Sequence, residues 1–204
     1  MPATTRHRIA ALTLVAACSL AAALLGVRAA TVRIAALDGH VIAPFEPVGQ
    51  ANVIFFIATD CPISNSYAPE IQRVCRDYRD KGVACSLMYE DVETPGTSLD
   101  VEVRKHLNDY RYDRIPAAVD RRRHVANAAK ASVTPQAIVV DRSGSIRYRG
   151  RIDNFYAALG KPRQQVTERD VRNALDAVLS GRAVIRPETE AVGCYIVDPA
   201  VLRK

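Results

Sequence analysis

The segment Val53-Ile54-Phe55-Phe56-Ile57-Ala58 is a continuous apolar run that stops abruptly at Thr59-Asp60-Cys61-Pro62. Such a run marks a strand covered on both of its faces. The pattern then changes period. From Pro62 to about Lys81 the apolar positions Ala68, Ile71, Val74, Cys75 and Tyr78 recur at three and four residues, as on one face of a helix, and Gly82 supplies the stop. A doubly buried strand feeding directly into an amphipathic helix confines the chain to a layered α/β arrangement.

The remaining elements extend that plan. Thr31 to Phe45 alternates loosely around Asp38-Gly39, as in an edge hairpin, and Val83 to Tyr89 reads as the next strand. Val101 to Tyr112 reads as a second helix, Ile115 to Val119 as a short strand and Val125 to Ala131 as a weak helical stretch. Gln136 to Val140 and Ile146 to Arg149 flank Asp141-Arg142-Ser143-Gly144, which carries turn residues where a hairpin needs them. Thr167 to Leu179 closes the domain as an amphipathic helix with Thr167 as its expected N-cap. The expectation is a mixed central sheet flanked by helices on both faces, with an N-terminal hairpin and a C-terminal tail over 181–204 that packs on a single domain of residues 31–180.

The first 29 residues stand apart. Arg6, His7 and Arg8 precede an uncharged apolar run from Ile9 to Val27, the signature of a targeting segment. Cleavage after Ala29 as a signal peptide is the first reading. Retention as a membrane anchor and lipidation at Val15-Ala16-Ala17-Cys18 are the others, since a span needs roughly 20 apolar residues. Each places the folded part outside the cytoplasm, periplasmic or secreted, with membrane contact only through this segment. Residues 1–29 hold three arginines and no acids, so the net charge of +6 becomes 6 − 3 = +3 without them. The mature chain is mildly basic and lacks a lysine-rich stripe; Arg121-Arg122-Arg123 reads as a solvated turn, and no nucleic-acid partner is expected.

Cys61 sits at the end of a buried strand and the start of a helix, where unpaired N–H groups and the helix dipole favour a thiolate. Pro62 suits the first helical turn because its missing N–H costs nothing there. Pro69 lies eight residues after Cys61, inside an otherwise regular helical stripe, and Thr134-Pro135 immediately precedes the strand from Gln136. This combination resembles the thioredoxin superfamily. More narrowly, Cys61-Pro62-Ile63-Ser64-Asn65, Tyr67-Ala68-Pro69-Glu70, Thr134-Pro135 and Tyr148-Arg149-Gly150-Arg151-Ile152-Asp153 resemble its redoxin, AhpC/TSA (peroxiredoxin-related) branch, of the exported bacterial type. The resemblance covers about residues 31–197. It implies a thioredoxin-like fold with a kinking proline in the first helix and a cis-proline loop whose backbone pairs with substrate.

What the resemblance implies for chemistry is qualified by Ser64. Where thioredoxins have Cys-x-x-Cys, this chain has Cys61-Pro62-Ile63-Ser64, and a hydroxyl can hydrogen-bond a thiolate but cannot close a disulfide. Asp60 opposes thiolate formation, so no extreme acidity of Cys61 is expected. The leading expectation is an extracytoplasmic thiol–disulfide oxidoreductase acting on protein thiols or disulfides and recycled by an external thiol reductant. Cys61 is its nucleophile, Ser64 a hydrogen-bond partner and Cys194 the candidate resolving thiol, while Pro62, Thr134 and Pro135 contact substrate. A thiol peroxidase is the alternative enzyme. Against it, Thr59 lies two residues before Cys61 where the family has a threonine three before, and Pro135 stands where such enzymes carry an arginine; Arg147, Arg149 and Arg151 are the replacements to examine. A binding or assembly module that has kept the fold and lost turnover is the third reading.

Cys194 lies in an apolar island, Val192 to Ile196, within a polar tail; it either resolves or anchors the tail by burial. Cys75 and Cys85 read as small core residues. A helix axis packed about 10 Å from the strands leaves their Cα atoms near the ~7 Å limit for a bridge, so free thiols are expected there. His106 and His124 lack ligand spacing to a cysteine, and neither a metal nor another cofactor is expected. Glu90, Asp91 and Glu93 read as a solvated acidic run without a role.

Overall fold

The computed structural model of the protein describes residues 32–93, 95–112 and 114–198. The expected targeting segment, with Ala29 and Cys18, lies outside the described residues. In chain order the elements are β1 (Ile34–Ala35), β2 (Val41–Ile42), β3 (Ala51–Ile57), α1 (Pro62–Ser66), α2 (Ala68–Arg79), β4 (Val83–Tyr89), α3 (Leu99–Asp109) and β5 (Ala117–Val119). They continue with α4 (His124–Ala129), β6 (Val133–Thr134), β7 (Gln136–Asp141), β8 (Ile146–Gly150), β9 (Tyr156–Ala158), β10 (Lys161–Pro162), α5 (Asp170–Leu179) and β11 (Cys194–Tyr195).

Five strands form the central sheet in the order β5-β4-β3-β7-β8. β3, β4 and β5 run parallel, whereas β7 pairs antiparallel with β3 and β8. β3 is therefore central, which explains its unbroken apolar sequence. Alternate side chains of a strand face opposite ways. Val53, Phe55 and Ile57 enter a core with Ile71, Val74 and Tyr78 of α2 and Val171, Ala174 and Leu175 of α5. Ile54 and Phe56 enter the opposite core with Val125, Ala126 and Ala129 of α4, joined by Phe45 and Ile42 from the N-terminal hairpin region. Each large side chain so enclosed contributes about 1.5–3 kcal/mol relative to exposure.

Several expectations need correction. The stretch from Pro62 is two helices rather than one kinked helix: the chain breaks at Tyr67, placing Pro69 in the first turn of α2, where an N–H is not required. Tyr67 is held there, its hydroxyl donating to Asp153 Oδ1 at 2.7 Å. α5 begins at Asp170 with Arg169 at its N-cap position; Thr167 instead joins a loop cluster, its backbone N–H and hydroxyl bonded to the side chain of Asn154.

Cys75 and Cys85 are joined in a disulfide with their Cα atoms 5.7 Å apart, contrary to the expected free thiols. Only Asp80–Gly82 separate α2 from β4, so both cysteines lie close to the turn where helix and strand converge. A helical Cα facing the sheet also stands about 2.3 Å nearer than the axis. The mean layer spacing overstates the gap at such a place.

Of the acidic run, Glu93 is exposed as expected, but Glu90 and Asp91 are not solvated. Glu90 is buried, and Arg123 Nη1 stands 3.0 Å from its Oε2. Arg123, expected in a solvated turn, is 3% exposed. Asp91 Oδ1 accepts from the Thr59 backbone N–H at 2.8 Å and from the Thr59 hydroxyl. Both acids follow directly on β4, whose parallel pairing with β3 draws the start of this loop beneath the Thr59–Cys61 turn.

Candidate active site

Cys61 is the N-cap of α1, with extended backbone (φ −84°, ψ 107°). Its sulfur accepts from the Ser64 backbone N–H at 3.5 Å, and its S–H donates to the carbonyl oxygen of Thr134 at 3.1 Å. Thr134–Pro135 is a cis peptide bond and both residues are buried. β6, of which Thr134 is the last residue, pairs antiparallel with β11, with Cys194 opposite Thr134 and Tyr195 opposite Val133. Ile196 N–H continues the ladder to the carbonyl of Ser132 at 2.9 Å. The structure thus brings Cys61, Ser64, Thr134, Pro135 and Cys194 to one point from three separate stretches of sequence. Pro62 stands exposed on the adjoining turn of α1.

The tail that delivers Cys194 is anchored on both sides of it. Upstream, Thr189 N–H donates to Arg149 O at 3.0 Å, and Thr189 Oγ1 lies 2.6 Å from the Tyr148 hydroxyl. Downstream, Arg123 Nε donates to Val197 O at 3.1 Å. Two glycines permit this course. A Cβ on Gly150 would fall 2.2 Å from Thr189 Oγ1, and one on Gly193 would fall 2.0 Å from Thr134 O.

Cys61 is wholly covered, whereas Cys194 is half-buried and lines an open cleft of about 750 Å3 with Thr59, Asp60 and His106. Burial pushes the Cys61 thiol up, but hydrogen bonds from Cys194, from the Ser64 hydroxyl and backbone, and from the Thr134 side chain outweigh it and leave Cys61 below the ordinary thiol range. The Ser64 hydroxyl has no other partner among the described residues, so it is free to turn toward the thiolate. Cys194 is displaced oppositely, to about 12, by burial first and then by its hydrogen bond to Cys61 and the negative charges of Cys61 and Asp60. Of the two thiols, Cys61 is therefore the first to ionise and Cys194 the one that keeps its proton. Asp60 adds its charge to the rise of Cys194.

A further layer was not legible from residue spacing. His106 Nε2 lies 2.8 Å from Asn65 Oδ1, and its Nδ1 lies 2.9 Å from the Tyr89 hydroxyl. Burial lowers the His106 pKa. Asn65 in turn donates to Thr59 O at 3.0 Å. α1 is thereby tied to α3 and to the turn carrying Cys61. Asn65 belongs to the Cys61–Asn65 motif, the one signal that could have singled it out.

The arginines proposed as peroxide partners are engaged elsewhere. Arg149 pairs with Glu188 at 2.9 Å, and Arg151 pairs with Asp170 at 2.8 Å and with Glu168. Arg147 faces Asp141 at 3.7 Å.

Residues 26–149 match the AhpC/TSA family. The chain belongs to that family. Its fold is thioredoxin-like. It is similar to an uncharacterized conserved protein from Geobacillus kaustophilus, at 29% identity and TM-score 0.71 over 84% of this chain and 90% of that one. A hypothetical protein from Sinorhizobium meliloti 1021 is similar at 27% identity and TM-score 0.70, over 84% and 92%. A thioredoxin-like protein from Aeropyrum pernix shares the fold at 16% identity and TM-score 0.53, over 82% and 97%. No curated protein matches the chain significantly.

Proposed function

We propose that the protein is an extracytoplasmic thiol–disulfide oxidoreductase whose dithiol couple is Cys61 and Cys194. The observation that carries this reading is the convergence of both sulfurs beside Thr134, one acidified and the other held protonated against it. Cys194 stands in for the second cysteine that Ser64 replaces in the motif.

The cycle follows from these positions. Cys61 thiolate attacks one sulfur of a client disulfide, forming a mixed disulfide and releasing the first client thiolate. Cys194, losing its proton to that leaving thiolate, then attacks Cys61 Sγ and expels the second. The client gains two electrons and the protein is left with a Cys61–Cys194 disulfide, which two equivalents of an external thiol reduce. Because β11 occupies the edge of β6 beside the cis-proline and Cys61 is buried, β11 must lift before a client can pair there. Ser64 holds the thiolate, and the backbone at Thr134 and Pro135, with the exposed Pro62 beside it, forms the client contact.

The Cys75–Cys85 disulfide supports a location outside the cytoplasm, since structural disulfides persist in oxidising compartments. The N-terminal apolar run agrees with it, read as a signal peptide or a retained anchor. Against a peroxidase weigh the Thr59 hydroxyl, already donated to Asp91, and the paired Arg149 and Arg151.

The test is to treat the purified protein with oxidised glutathione, map its disulfides by mass spectrometry, and assay reduction of a small disulfide-containing protein. A Cys61–Cys194 bond that forms reversibly, with turnover lost in Cys61→Ser, is the expected result. Two inert thiols would leave a thioredoxin-fold binding module instead.

A further inference from the structure

In thiol–disulfide exchange the incoming thiolate must reach one of two sulfurs, and the other must depart as an anion. The sulfur attacked is the accessible one, and the one expelled is the better leaving group. In this site the two criteria select the same partition. Cys61 is completely buried and does not line the cleft, whereas Cys194 is half-buried and forms part of the cleft wall. The β11–β6 ladder that pairs Cys194 with Thr134 keeps this geometry, and a disulfide between the two cysteines would hold the tail in it.

The cleft also selects among thiols by charge. Asp60, Glu102 and Asp109 line it against Lys105, and Lys105 is itself bound to Asp109. Asp60 is near enough for its charge to act on Cys194. A negatively charged thiolate approaching Cys194 is opposed by this field, and one accompanied by a positive charge is assisted.

Resting on the Cys61–Cys194 couple proposed above, we infer that the oxidised protein is recharged through Cys194, by a thiol that carries or is flanked by positive charge. The thiolate attacks Cys194 Sγ, a new bond joins it to Cys194, and the Cys61–Cys194 bond breaks with its electron pair leaving on Cys61. A second thiolate attacks the reductant's sulfur in that mixed disulfide and expels Cys194, which takes up a proton. Two thiols are oxidised to one disulfide, and Cys61 and Cys194 are reduced. The departing thiolate is the sulfur that accepts from the Ser64 backbone N–H, and the sulfur raised to about 12 is spared from leaving first. Client and reductant thus meet different cysteines: the client meets Cys61 after β11 lifts, and the reductant meets Cys194 while β11 is in place.

The experiment uses the oxidised protein and two small probes, cationic cysteamine and anionic 2-mercaptoethanesulfonate, compared at equal thiolate concentration. Reactions are quenched in acid within seconds, free thiols are alkylated and adducts are mapped by mass spectrometry. The expected result is a probe adduct on Cys194 with alkylated Cys61, formed by cysteamine roughly fivefold or more faster at low salt, with the ratio shrinking toward unity at high salt. An adduct on Cys61, or equal rates for the two probes at low salt, overturns this inference while leaving the redox couple intact. Failure of a Cys61–Cys194 disulfide to form at all overturns both, and is read before any probe is added.

Discussion

Cys194 is the direct antiparallel partner of Thr134, whose carbonyl oxygen accepts the S–H of Cys61 at 3.1 Å. One peptide unit therefore sets the relation between the two sulfurs, and the approach of the strands depends on the absent side chain of Gly193. In Gly193→Ala the new Cβ would fall 2.0 Å from Thr134 O and 2.6 Å from its carbonyl carbon, both backbone atoms. We expect β11 to be displaced, closure of the Cys61–Cys194 disulfide to slow roughly 10- to 100-fold, and Cys61 to label faster with maleimide. Unchanged closure in the folded variant would show that the tail finds the site without this pairing.

The thiol pair should titrate in two separated steps. In the reduced protein with its Cys75–Cys85 bond intact, Cys61 ionises below the ordinary thiol range and Cys194 is held to about 12. Thiolate absorbance against pH is expected to show a first step of one equivalent. In Cys194→Ala that step should move upward, because the strongest hydrogen bond opposing burial is gone. A single step of two equivalents near the ordinary value of about 8.5 would contradict the coupling.

Removing the second disulfide tests stability rather than chemistry. Cys75 and Cys85 are separated by 10 residues, a loop for which chain entropy gives about 3 kcal/mol. The double variant Cys75→Ser, Cys85→Ser should lose stability of that order in urea unfolding and still form the Cys61–Cys194 bond. Loss of that bond in the folded variant would assign Cys75 and Cys85 a part in exchange.

Glu90 gives the stability a pH dependence of definite sign. Burial raises it to about 9 from an ordinary 4.5, Asp120 adds to the rise and Arg123 opposes it. The folded state therefore keeps a proton that the unfolded chain has already lost. The corresponding stability is complete below about pH 4.5 and declines as pH rises toward about 9. Urea unfolding between those limits should show the parent falling relative to Glu90→Gln, by several tenths to about 1 kcal/mol per pH unit. Parallel curves would place the proton elsewhere.

The amino-acid order by itself determined the layered fold, because local periodicity reports burial directly. The unbroken run from Val53 to Ala58 could only be a central strand, and the spacing of Ile71, Val74 and Tyr78 could only be one helical face. It also marked Cys61, whose position between strand and helix is a local property, and raised Cys194 as a candidate from its apolar island in a polar tail; Ser64 and Thr134-Pro135 were marked by their resemblance to the thioredoxin superfamily's motifs.

Contacts between distant segments were beyond it. The path of the tail depends on Gly150, Thr189 and Gly193 fitting against β8 and β6, a matter of close approach that leaves no periodic trace. The Cys75–Cys85 bond depends on how tightly one turn folds helix onto strand. The acids after β4 looked solvated because charge in a loop ordinarily is, and only the burial of Arg123 against Glu90 reverses that expectation. Tertiary structure alone decided which sulfur is covered and which faces the cleft, since exposure belongs to the assembled layers and not to any stretch of chain.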